Sequence, residues 1–108
     1  MSLTTKKNRR HERVSLPKGA LIAWEYSRIR KVSFYSQLAL AGLFISTPEP
    51  PSDGSFIKLF FEIPGGEVRA NAFVRNAQPG KGMGVEFTTM GQESRAKLTK
   101  LIASLAKK

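Results

Sequence analysis

The stretch that decides the fold is Ile57-Lys58-Leu59-Phe60-Phe61-Glu62-Ile63-Pro64-Gly65-Gly66-Glu67-Val68-Arg69-Ala70-Asn71-Ala72-Phe73-Val74-Arg75. In its first half Ile57, Leu59, Phe61 and Ile63 alternate with Lys58 and Glu62, and in its second Val68, Ala70, Ala72 and Val74 alternate with Arg69, Asn71 and Arg75. Successive side chains of a strand point to opposite faces, so a period of two with one apolar face marks a half-buried strand. Pro64-Gly65-Gly66 supplies a tight turn, and the two runs read as a β-hairpin. Working upstream across the loop from Pro48 to Gly54, Gly42 to Thr47 predicts a short strand. Val32 and Phe34 share one face of another, and Ala20, Ile22, Trp24 and Tyr26 one face of a first. Downstream, Gln78-Pro79-Gly80 turns the chain, and Met83, Val85 and Phe87 predict the inner face of a sixth strand.

The period then changes. Thr89-x-x-Gln92 fits a capping box, and Leu98, Leu101, Ile102 and Leu105 fall on one face of a C-terminal amphipathic helix. Six short strands followed by a helix predict an all-β fold, a small closed or nearly closed barrel with the helix packed across it. A chain of 108 residues with 41% hydrophobic content suits one domain. Residues 18–108 are assigned to the barrel and its helix. Residues 1–17 are polar, show neither period, and are expected to form a flexible basic arm.

Formal net charge is +10, and it gathers at the ends. Residues 1–18 carry a net +5 and residues 93–108 a net +4, leaving a near-neutral body. Basic ends suit an anionic partner: a phosphorylated ligand, nucleic acid, an acidic protein or a membrane surface. A plain solvated surface with basic tails accounts for the same charge. No apolar run approaches the roughly 18 residues of a membrane span, and no apolar segment follows the basic N-terminus, so neither a span nor a secretory signal is expected. The absence of cysteine excludes disulfides, thiolate metal sites and cysteine nucleophiles, and suits the cytoplasm.

Catalysis has little to work with. The single histidine, His11, has no serine or acid partner in view and is assigned no role. Glu49, Asp53, Glu62, Glu67 and Glu86 are scattered over turns and outward strand positions, as solvated charges are, so no enzyme, metal site or cofactor is expected. Gly80-Lys81-Gly82-Met83-Gly84 lacks the following helix N-terminus of a phosphate loop and reads as turn glycines. Arg9-Arg10-His11-Glu12-Arg13 is more informative, because a planar guanidinium offers a fixed fork of donors to phosphate oxygens or to the O6/N7 edge of guanine. Eight arginines in 108 residues give about 0.6 pairs at this spacing by chance, so context carries the reading.

That context is Arg9-x-x-x-Arg13 ahead of the barrel, the Gly42-Leu43-Phe44-Ile45 strand about thirty residues on, and Gly82-Met83-Gly84-Val85-Glu86-Phe87 leading into the helix. Together, over about residues 7–106, they resemble the PilZ domain. The resemblance implies a six-stranded antiparallel barrel with a C-terminal helix, and cyclic di-GMP as the ligand of many bacterial members. It assigns the guanine and phosphate grip to Arg9 and Arg13, with Arg10 a commonly basic neighbour. It also implies a second motif on the barrel surface, Asp or Asn, any residue, Ser, two residues, Gly. Its counterpart is Gln37-Leu38-Ala39-Leu40-Ala41-Gly42, in which only Gly42 matches.

Gln37 keeps amide chemistry on a longer stem, while Ala39 cannot make the hydrogen bond of a serine. The combined loss is about 2 to 4.5 kcal/mol, or roughly 1.5 to 3 decades of affinity. The ligand-binding candidates are thus Arg9, Arg10, Arg13, Gln37, Ala39 and Gly42. Two functions compete: a bacterial cyclic di-GMP receptor whose arm closes on the ligand and changes a partner-binding surface, and a degenerate pilus- or motility-associated module that binds a protein without nucleotide. A basic barrel binding nucleic acid is the third, less favoured reading. Phe60, Phe73 and Arg75 would serve it, whereas the plainer expectation packs both rings under the helix.

Overall fold

The structure is a computed structural model and describes residues 20–106. Residues 1–17, with Arg9, Arg10 and Arg13, and the expected boundary at residue 18 lie outside the described residues. Six strands and one helix follow in order: β1 Leu21–Tyr26, β2 Ile29–Ser36, β3 Gly42–Ser46, β4 Phe56–Ile63, β5 Gly66–Gln78, β6 Gly82–Met90 and α1 Gln92–Ala106.

The strands close in the order β1-β2-β3-β6-β5-β4, every pairing antiparallel, with β1 and β4 completing the circle through Ile22 opposite Phe61 and Trp24 opposite Leu59. Every strand has two neighbours, but β2 meets β3 only at Tyr35 and Ser36, so the seam between them is short. The expected hairpin forms, with Ile63 facing Gly66 and Leu59 facing Ala70, so Gly66 is already paired and the turn proper is Pro64-Gly65. Its alternating residues Ile57, Leu59, Phe61, Ile63, Val68, Ala70, Ala72 and Val74 are all buried. They share the interior with Ile22, Trp24, Leu43, Ile45, Met83 and Val85.

Trp24 is 1% exposed, and its indole N–H donates to Ser33 Oγ at 3.0 Å. That bond explains the facing of β2. Ser33 and Tyr35 share the inward parity, so Val32 and Phe34, which do share a face, share the outer one. There they stand opposite Ala23 and Leu21, and Leu21, Val32 and Phe34 are more than half exposed. Tyr35 packs its ring on Phe61 at 5.2 Å between centroids, and burial pushes its hydroxyl above the ordinary tyrosine pKa.

α1 runs back over the β4–β5 turn, where Ser94 Oγ accepts from the Arg69 N–H and the Lys97 side chain lies over Gly66. Its buried Leu98 and Ile102 join the interior cluster, with Leu101 and Leu105 partly covered. Two expectations are corrected here. Thr89 caps no helix: β6 stays paired as far as Met90 opposite Ala70, Thr89 Oγ1 accepts from Asn71 Nδ2, and Gly91 provides the first helical carbonyl, to Arg95. Phe60 and Phe73 do not pack under the helix, because they take the outer parity of their strands. The Arg30 guanidinium lies 4.7 Å from the Phe60 ring, and Phe56 and Arg75 flank Phe73.

Candidate functional site

An open groove of about 970 Å³ lies on the outer wall formed by β3, β6 and β5. It is of the size that holds small ligands and nucleotides. The β2–β3 connection contributes Gln37, Ala39 and Ala41, β3 contributes Gly42 and Phe44, β5 contributes Arg75, Asn76 and Gln78, and Gly84 and Glu86 come from β6, with Lys81 at the intervening turn. The structure thus brings Gln37, Ala39 and Gly42, three residues singled out in the sequence, to one rim of a groove whose far side carries Arg75 and Lys81.

Each motif position has its own local logic. Gln37 sits at φ 55°, left-handed backbone in which Asn and Asp are several-fold enriched among non-glycine residues. The backbone alone therefore supplies a reason for Asp or Asn at this position, apart from any ligand. Ala39 is buried, and its N–H donates to the Gly42 carbonyl at 2.9 Å, which closes the connection into a tight loop. Ala41 anchors that loop to β6 by accepting from the Phe87 N–H at 2.8 Å. Gly42 faces Glu86 across the β3–β6 pairing, and a β-carbon there would fall on the Val85 carbonyl oxygen. Gly82 is constrained in the same way by the Ile45 carbonyl and the Phe44 ring. These glycines serve the close approach of β3 to β6, and Gly80, at φ 85°, serves the turn.

The point where the N-terminal segment enters the barrel is also fixed. The Ala20 carbonyl accepts from the Tyr35 N–H at 3.0 Å, only two residues before Gln37. Arg13 lies seven positions before Ala20, a reach of up to about 25 Å when extended.

The sequence placed Arg75 on an outer face and Glu86 among solvated acids, and it left both out of the candidate ligand site. In the groove the two are joined, Arg75 Nη1 donating to Glu86 Oε1 at 2.8 Å. The alternation that sent Arg75 outward was legible, but its meeting with Glu86 depends on the β5–β6 register, which no local pattern encodes. Among the described residues no group of three His, Asp or Glu side chains is placed to hold a metal, and no helix is long and apolar enough to cross a membrane.

The profile of the PilZ domain family matches residues 7–104, nearly the whole chain. The chain belongs to the PilZ domain family. Solved structures agree on the fold. The PilZ domain of YcgR from Escherichia coli, solved with c-di-GMP, has a TM-score of 0.73 at 15% identity over 93% of this chain and 92% of that one. The Borreliella burgdorferi PlzA protein, in complex with c-di-GMP, gives 0.67 at 14% identity over 91% of this chain. This chain spans 43% of the PlzA chain. The PilZ domain of CeSA from a cellulose-synthesizing bacterium gives 0.62 at 17% identity, covering 84% of this chain and 96% of that one. Comparison with curated proteins gives no significant match. Within the PilZ barrel, then, the groove lies against the Gln37–Gly42 loop.

Proposed function

We propose that this PilZ domain is a bacterial cyclic di-GMP receptor and adaptor, with no catalytic role of its own. Arg9 and Arg13, helped by Arg10, clamp the nucleotide against the groove at Gln37, Ala39 and Gly42, and the closed arm changes the surface offered to a protein partner. The observation that carries this reading is the convergence of the groove, the Gln37–Gly42 loop and the entry point of the arginine-bearing segment on one side of the barrel. The ligand's two phosphates complement the basic segment. A cysteine-free composition suits the cytoplasm as its place of action.

Isothermal titration calorimetry on the full chain tests the reading. The wild type is expected to bind cyclic di-GMP, and Arg9→Ala or Arg13→Ala to abolish the heat, each guanidinium contact with a base or phosphate being worth about 1 to 3 kcal/mol. No heat at high micromolar ligand contradicts it. The second reading, a protein-interaction module without nucleotide, is favoured by the replacement of the motif's acid or amide and serine by Gln37 and Ala39. The same titration separates the two.

A further inference from the structure

Arg75 is set apart from the other groove residues by its backbone. β5 and β6 pair Val74 with Val85 and Asn76 with Gly84, which leaves Arg75 as the extra residue of a β-bulge. In a regular strand one of two consecutive side chains would point into the barrel. Here Arg75 and Asn76 are both exposed and both line the groove. The bulge re-aims Asn76, which regular alternation would turn inward, so that its amide joins the outward guanidinium of Arg75 on the groove wall. The guanidinium is then met by a carboxylate of the same groove, Glu86 Oε1 at 2.8 Å.

We infer that Arg75 is a further phosphate-binding residue of the groove and that Glu86 is its removable counter-ion, which the ligand displaces on binding. This rests on the reading of the groove as the cyclic di-GMP site. A phosphodiester presents the planar fork of Arg75 with the same kind of oxygen edge that it takes from a carboxylate. The Arg75 and Glu86 side chains are 60% and 44% exposed, so their pairing is screened by water and exchange of one anionic partner for another costs little. Until exchange occurs, Glu86 cancels the charge of Arg75 and repels an approaching anion. A single small anion gains one contact against that tethered carboxylate. A dinucleotide held elsewhere by the arm meets Arg75 at high effective concentration and replaces Glu86. The pair thereby biases the groove against free phosphate and towards a ligand with several points of attachment.

Calorimetry with cyclic di-GMP on the full chain tests this, comparing wild type, Glu86→Gln, Arg75→Ala and the double variant, with thermal melts confirming that each is folded. Glu86→Gln is expected to bind roughly three- to tenfold more tightly, and Arg75→Ala more weakly by a similar factor. The gain from Glu86→Gln should vanish when Arg75 is absent, since the two act through one contact. Binding by Glu86→Gln where the wild type is silent supports the inference as well. Wild-type affinity in both single variants overturns it and leaves the groove reading intact. So does weaker binding by Glu86→Gln, which would make the carboxylate a direct acceptor from the ligand. No heat from any of the four proteins overturns both.

Discussion

Gly42 shows how one residue can carry two explanations. In the family pattern it belongs to the ligand motif, yet its hydrogen atom faces the Val85 carbonyl so closely that no side chain fits. Strand pairing alone demands a glycine, so its presence says nothing about the ligand. Gly42→Ala is therefore expected to lower stability before it touches binding. Overpacking against fixed backbone costs about 1 to 3 kcal/mol, a drop of roughly 5 to 15 °C in melting temperature for a domain of this size. A thermal melt unchanged by the substitution would show that β3 can shift away from β6. The Trp24 indole is a second case: burial at 1% exposure obliges its N–H to find an acceptor, and Ser33 is the one it finds. That bond fixes which face of β2 looks inward, and it is invisible in the hydrophobic pattern. Read from apolar residues alone, Val32 and Phe34 share a face, but only the tryptophan's partner shows that the face is the outer one.

The elements fall into those that local pattern determines and those that it does not. β4 and β5 alternate cleanly because their outer faces are wet and their inner faces dry, so both strands and their turn were legible residue by residue. The helix face at Leu98 and Ile102 was legible for the same reason at a period of 3.6. Its start was not, because β6 and the capping box compete for Thr89 and the ladder wins. The β2–β3 connection is the element on which affinity turns in the proposed function. Gln37 holds left-handed backbone better suited to Asp or Asn, and Ala39 has no hydroxyl to offer the groove. Gln37→Asp together with Ala39→Ser is expected to tighten cyclic di-GMP binding at least about tenfold, recovering roughly one charge-assisted hydrogen bond or two neutral ones. An unchanged dissociation constant would show that this loop does not contact the ligand.

At the scale of the whole molecule, closure of six antiparallel strands separates the problem of stability from that of recognition. The interior is filled by the alternating residues that the sequence announces, while the outer wall of β3, β6 and β5 is left to form a groove. The rim of that groove at Gln37, Ala39 and Gly42 was marked out by its resemblance to a family motif. Its far side, Arg75 with Glu86, was not, because the shift in the β5–β6 register between Val74 and Asn76 leaves no mark on the hydrophobic pattern. Topology then brings Ala20, just ahead of β1, beside the strand that leads into Gln37 through the Ala20–Tyr35 hydrogen bond. The most direct test of the groove is a two-dimensional amide NMR titration of the full chain with cyclic di-GMP. Progressive shifts are expected at Gln37 to Gly42 and from Arg75 to Glu86, with the opposite wall, Lys58 to Phe60 and Glu25, unmoved. Shifts confined to that opposite wall, or none at saturating ligand, would contradict the account.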